Sequence, residues 1–383
     1  MTVYLDNAAT TPILPQVAQE MMDVMSRDYG NPSSIHQEGR RAKHQLMIAR
    51  QVIADSIGAN EDEILFTASG SEGDNMALVE GALSNQDKGH HIISTQVEHP
   101  AVLQTLQRLE KMGFEVTYLP VNERGELSVE QLKEAFRPGE TILVSIMFGN
   151  NEVGTLYPIQ EMGEWVREQG ALFHTDAVQA YGTENIDVRS LPVDLLTVAA
   201  HKVNGPRGIG FLYIRQGTNI QPFITGGEQE NHRRAGTENL PAIAGFATAV
   251  QQLTAEEKEK RHARYQQFRQ VIQSALDEAK IDYQVNGSAH HLPHILNLWV
   301  KQVPSDLLLM QLDLQGFAVS TGSACTAGNV DPSHVLQAMY GQDNPAVMES
   351  IRISFGYQNT LDEIEQFSQA LVTAIQKIQE RRK

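Results

Sequence analysis

The chain has 383 residues, 41% of them apolar, and 30 basic against 47 acidic side chains give a formal charge of -17. That acidic excess disfavours nucleic acid and anionic membrane as partners, while the apolar content rules against disorder. The single cysteine excludes an intramolecular disulfide, and no apolar run reaches the roughly 20 residues that a bilayer span requires.

The opening, "MTVYLDNAATTPILPQ", lacks the basic and apolar regions of a secretory leader, so a cytoplasmic location is expected. From residue 63 onward, short strand-like runs alternate with helical patterns. "EILFT" is followed by a Gly/Ser turn and a helix. "HIISTQ" precedes "PAVLQTLQRLEKMG", with Pro100 suited to a first helical turn and Gly113 to a C-cap. Then come "FEVTYL", "TILVSIM", the helical "IQEMGEWVREQG", "ALFHT", "DLLTVA" and "GIGFLYI". The alternation predicts an α/β fold, a mostly parallel sheet between helices. A long charged helical stretch, "AEEKEKRHARYQQFRQVIQSALDEA", then leads into a second unit. That unit holds "HILNLWV", "GFAVST" and "SIRISFG" and closes with a helix from Leu361. The expected division is a large domain over 14–255 and a smaller α/β domain over 256–383 joined by 1–13.

Open α/β sheets collect ligands beyond the carboxyl ends of their strands, so the residues at each exit carry the chemistry. After "EILFT", "ASGSEGDN" places Gly70 and Ser71 at a helix start, where backbone N–H groups can hold a phosphate. The spacing is not that of a nucleotide P-loop. His99 follows "HIISTQ"; Asn150, Asn151 and Glu152 follow "TILVSIM"; Asp176 and Gln179 follow "ALFHT". Lys202 lies between "DLLTVA" and the turn "NGPRGIG", whose glycines are wrongly spaced for dinucleotide binding. A phosphate cradle, an aspartate and a lysine at neighbouring exits match the needs of pyridoxal 5'-phosphate (PLP). The lysine attaches the cofactor, and the acid keeps the pyridine nitrogen protonated.

The motifs "YLDNAATTP", "YGNPSSIH", "NNEVG", "HTDAVQ", "AHKVNGPRG", "RRAGTEN" and "STGSACTAG" occur in one order along most of the chain. In this the sequence resembles the cysteine desulfurases of the NifS/IscS type, within the class-V aminotransferase family of PLP enzymes. The resemblance implies the PLP-dependent transferase fold of type I and removal of sulfur from L-cysteine, giving L-alanine and a persulfide on Cys325. It implies Lys202, Cys325 and His99 as catalytic residues, with Lys202 holding PLP. Asp176 pairs with the ring nitrogen, Gln179 contacts the ring hydroxyl and His99 stacks on the ring face. Gly70, Ser71 and His201 hold the phosphate, and Thr237 reaches the phosphate of a partner subunit, hence a homodimer. Asn151, Arg352 and Asn31 bind substrate, Arg352 by clamping its carboxylate. No metal is implied, apart from Cys325 as a transient iron–sulfur ligand. The small residues around Cys325 leave the thiol free to carry sulfur to an acceptor protein, an iron–sulfur scaffold or a tRNA-thiolation enzyme.

Two stretches depart from the family pattern. Ala199 stands where relatives place a phosphate-binding serine, and Phe148 and Gly149 stand where a histidine is common. The chain also ends at Lys383, soon after the predicted closing helix, which favours the tRNA-thiolation acceptor. Rival readings are a selenocysteine lyase or an aminotransferase on the same fold, and a sulfur-carrier or scaffold subunit with a degenerate cofactor site. The thiol-bearing "GSAC" favours the desulfurase, because transamination needs no thiol.

Overall fold

The computed structural model describes residues 2–322 and 332–381. Its strands, in chain order, begin with β1 (Val3–Tyr4), β2 (Ile64–Thr67), β3 (His91–Thr95) and β4 (Glu115–Leu119). They continue with β5 (Thr141–Ser145), β6 (Leu172–Asp176), β7 (Leu195–Ala199) and β8 (Gly210–Ile214). The last are β9 (Tyr283–Asn286), β10 (Ile295–Val300), β11 (Phe317–Ala318) and β12 (Ser350–Ser354).

β2 to β8 form one sheet in the order β2-β8-β7-β6-β5-β3-β4. Its central strands read as unbroken apolar runs because both faces are covered: every residue of β5 and β7 is buried. β8 alone runs against the rest, antiparallel to both β2 and β7. The reason is the connection from β7, which spans only 200–209 and opens with the 3-10 turn Ala200–Lys202. A parallel return needs a crossover of about a dozen residues or more.

The helix Gly70–Leu83 lies close against this sheet. A Cβ on Gly73 would come within 2.8 Å of Thr197 Cγ2 in β7, so only glycine permits that approach. Pro100 does open the helix Pro100–Lys111, and Gly113 follows its end at φ +99°. Likewise "IQEMGEWVREQ" forms the helix Ile159–Gln169, stopped by Gly170 in the left-handed conformation.

A second apolar core gathers Val3 and Leu5 with the helices Ala255–Glu278 and Leu361–Glu380 and with β10 and β12. β9, β10 and β12 form an antiparallel sheet, whereas β11 pairs in parallel with β1. The helix His334–Tyr340 instead inserts Val335, Leu336 and Met339 into the core of the large sheet. Among the described residues, no helix is long and apolar enough to cross a membrane.

Candidate active site

β2, β3, β5, β6 and β7 all point the same way, so their exits line one edge of the sheet. At the exit of β2 the hydroxyl of Ser69 accepts the N–H of Glu72 at 3.1 Å, capping the helix that Gly70 and Ser71 begin. A Cβ on Gly70 would meet Val178 Cγ2 at 3.0 Å and Ala199 Cβ at 3.5 Å. The helix start is therefore seated on the exits of β6 and β7. Ser71 and His99 both line a cavity of about 390 Å³, which also reaches Asn75 and Arg108.

His99 caps its own helix, Nδ1 accepting the N–H of Ala101 at 3.1 Å. A ring nitrogen of His99 and a carboxylate oxygen from each of Asp74 and Asp176 all lie within 4.8 Å of one another. Asp176 accepts the N–H of Val178 at 2.9 Å and is buried, which raises its carboxyl above the usual range despite the opposing pull of His99 and Lys202. Burial and the neighbouring Asp176 push Asp74 well up. Burial also lowers the His99 imidazole, with Lys202 and His334 adding to the effect and Asp176 opposing it. Behind this trio His174, pushed down to about 3 by burial, stands 3.6 Å from Asp74 and 3.0 Å from Thr197 Oγ1.

Glu98, which sequence reading passed over, is a further buried acid at this edge. It accepts from Thr95 Oγ1 at 2.8 Å and from the N–H of Met147 at 3.0 Å, while Oε2 has no partner among the described residues. Burial pushes it up to about 8 from 4.5. The folded protein therefore holds this proton more tightly than the unfolded chain does. Stability from it is full below about pH 4.5 and is lost as pH rises through about 8. Glu98→Gln, a neutral replacement of the same shape, is expected to flatten that loss. Its thermal midpoint should gain on the parent as pH rises from 5 to about 9; parallel midpoints across that range would refute the assignment.

Lys202 extends from the 3-10 turn after β7, and Nζ donates to the carbonyls of Ala8 at 2.5 Å and Ala9 at 2.9 Å. Burial, then Arg352, lowers the amine to about 8 from 10.5 against the opposing pull of Asp176 and Asp6. Gln179 donates to the same Ala8 carbonyl at 2.9 Å, and its Oε1 lies 3.3 Å from His294 Nε2. His201 Nδ1 is 3.2 Å from Thr10 Oγ1, and its ring is lowered to about 4 by burial and by Lys202. The N-terminal segment thus passes directly over the lysine, a contact that sequence spacing does not reveal.

Arg352, in β12, is buried. It donates from Nη2 to Asp6 at 2.9 Å and from Nη1 to the Asn151 carbonyl at 2.8 Å. Its Nε and the Oδ1 of Asn151 are buried without partners among the described residues. Asn31 is exposed and accepts the N–H of Ser33 at 2.9 Å. Thr237 is exposed and lines a separate cavity of about 230 Å³ with Glu230 and Arg234; neither Lys202 nor His99 lines it. Cys325 lies outside the described residues.

The family description Aminotransferase class-V matches residues 3–367, and the chain belongs to that family. It is 43% identical over 377 residues to a Methanosarcina thermophila protein named cysteine desulfurase IscS, covering 98% of this chain and 92% of that one. Among solved structures, one described as a NifS-like protein superposes with a TM-score of 0.91 at 34% identity, covering 98% of this chain and all of the other. Another, described as SspA in complex with cysteine, has a TM-score of 0.82 at 35% identity, covering 93% of this chain and 99% of that one.

The family implies PLP, and the residues present fit it. Lys202 is a half-buried amine held by carbonyls among the described residues, Asp176 is a buried acid close to it, and the glycine-opened helix start faces both exits. Ala199 completes the floor of that cradle with a methyl group 3.5 Å from the Cβ position of Gly70. If the Gly70 helix start holds the PLP phosphate, a hydroxyl there would add a donor toward it, a hydrogen bond to charge worth roughly 1.5–3 kcal/mol. Ala199→Ser is accordingly expected to lower the PLP dissociation constant by about tenfold or more. An unchanged constant would show that the cradle is already saturated with donors.

Proposed function

We propose that this chain is a PLP-dependent cysteine desulfurase that converts L-cysteine to L-alanine and keeps the sulfur as a persulfide on Cys325. The observation that carries the reading is the pairing of half-buried Lys202 with buried Asp176 at adjacent strand exits, in a chain with one cysteine. The relatives' names and the structure described with cysteine support it.

In this reading Lys202, Asp176, Gln179, His201, Gly70 and Ser71 hold the cofactor of one subunit, and Thr237 reaches that of the other in a homodimer. When bound, PLP supplies an electron sink for the electrons left at the substrate α-carbon. Lys202, lowered to about 8, is partly unprotonated near neutral pH and can take and return the α-proton. His99, kept neutral by burial, can relay a proton beside it. Arg352 receives the substrate carboxylate, which must displace Asp6 or occupy Nε, with Asn151 alongside and Asn31 as a further substrate-binding residue. The Cys325 thiolate forms a bond to the substrate sulfur as the sulfur–carbon bond breaks. A proton delivered to that carbon completes alanine, so one L-cysteine and one thiol give one L-alanine and one persulfide.

The division into domains 14–255 and 256–383 with 1–13, the cytoplasmic location, and transfer to an iron–sulfur scaffold or a tRNA-thiolation enzyme belong to the same proposal. The test is to incubate the PLP-loaded protein with L-cysteine and quantify products. Equal amounts of alanine and Cys325 persulfide are expected. A keto acid without persulfide would establish a transaminase instead. Both acceptors, offered to the persulfide form, would then be compared for sulfur uptake.

A further inference from the structure

The carboxylate of Glu152 touches both chain positions that flank the cysteine-bearing stretch. On the N-terminal side Gly322, at φ +101°, packs so tightly that a Cβ there would lie 2.9 Å from Glu152 Oε2. On the C-terminal side Ser333 donates its hydroxyl to the same oxygen at 2.5 Å, while that hydroxyl accepts the N–H of Leu336 at 3.1 Å and caps the following helix. His334 adds Nδ1 at 3.9 Å from Glu152 Oε1 and binds the Glu98 carbonyl through Nε2 at 2.9 Å. Glu152 is itself fixed. Its N–H donates to Asn150 Oδ1 at 2.9 Å, and its carbonyl accepts from Asn297 Nδ2 at 3.1 Å. Its side chain is buried.

A buried carboxylate is costly unless it is hydrogen-bonded, so its placement here requires a reason beyond packing. Its neighbour in sequence provides one. The Asn151 carbonyl is held by Arg352 Nη1, which also lies 3.4 Å from the Gly322 carbonyl. The turn 150–152 therefore joins the groups assigned to the substrate with both flanks of the thiol segment. Cys325 is three residues beyond Gly322, a reach of at most about 11 Å at the ~3.6 Å limit per residue.

We propose that Glu152 is a positioning residue for sulfur transfer, fixing the two chain positions between which Cys325 is carried. The inference rests on Cys325 being the sulfur acceptor, and its test separates the two claims. Glu152→Leu removes the acceptor while keeping bulk, and Glu152→Gln keeps an oxygen that Ser333 can reach. In PLP-loaded protein, single-turnover persulfide formation should fall by about tenfold or more in Glu152→Leu, the scale of one hydrogen bond to a charged group. Glu152→Gln should recover most of it. The KM for L-cysteine and the visible spectrum with bound cofactor should stay near the parent values, which a general folding defect would not allow.

Because Cys325 is the only thiol, its alkylation by iodoacetamide can be followed in every variant whether or not any persulfide forms. A changed alkylation rate in Glu152→Leu, restored in Glu152→Gln, supports the positioning role even if the parent makes no persulfide and the desulfurase reading fails. Parent-like alkylation together with parent-like transfer in Glu152→Leu would overturn it. So would a loss of transfer fully matched by a rise in KM.

Discussion

Lys202→Ala is expected to abolish turnover of L-cysteine and the visible absorbance of covalently held PLP. Under the proposed function its amine serves twice, as the attachment point and as the group that moves the α-proton. Proton transfer by a positioned side chain alone is worth roughly 10²–10⁴-fold in rate. No other lysine replaces it, because the amine works from a particular place: Nζ on the Ala8 and Ala9 carbonyls, beside Asp176. Alanine production at the parent rate would remove the PLP assignment altogether. The same substitution should leave the cofactor-free protein more stable near neutral pH. The folded amine titrates near 8 and the unfolded one near 10.5, so the unfolded chain binds the proton more tightly. The penalty is fully present below about pH 8 and fades as pH rises toward about 10.5. The thermal midpoint of the cofactor-free variant should therefore exceed that of the parent at pH 7, by a margin that shrinks at pH 10. Such a gain in stability with loss of activity marks a group held for chemistry rather than for the fold.

The strand exits were legible in the sequence because a buried parallel strand is an apolar run followed at once by a change of texture. "LLTVA" before Lys202 and "LFHT" before Asp176 have that form, and the structure sets these residues on one edge. Four features were not legible, each for a physical reason. The direction of β8 depends on the short connection behind it, while its composition matches that of its parallel neighbours. β9 was missed because "YQVN" is only partly covered and carries a weak apolar pattern. Asp74 and Glu98 were missed because a buried acid has no composition of its own. The available signal was position: Asp74 falls four residues after Gly70 on the helix face turned inward, and Glu98 directly precedes His99. The pairing of Arg352 with Asp6 joins residues 346 apart in the chain, so only the folded structure brings them together.

Cys325→Ala should separate binding from desulfuration. The residues proposed to hold the cofactor and receive the substrate carboxylate are distinct from the thiol, so the variant is expected to retain PLP and to give the parent spectral change on adding L-cysteine. Sulfide release and persulfide formation should both vanish, because no other cysteine exists to accept the sulfur. Cys325→Ser should behave like the alanine variant. A thiol with a pKa of about 8.5 supplies a useful fraction of thiolate near neutral pH, whereas a serine hydroxyl supplies essentially none, and an alkoxide does not substitute for a soft sulfur nucleophile. The parent rate of single-turnover persulfide formation should accordingly rise with pH as the thiol ionises. Spectral binding of L-cysteine by the alanine variant should persist over the same range. Mass spectrometry of the parent after one turnover should find the added sulfur on the peptide containing Cys325. If the alanine variant releases sulfide at the parent rate, the sulfur leaves without touching the protein, and the chemistry is elimination from the cofactor site rather than transfer to a thiol.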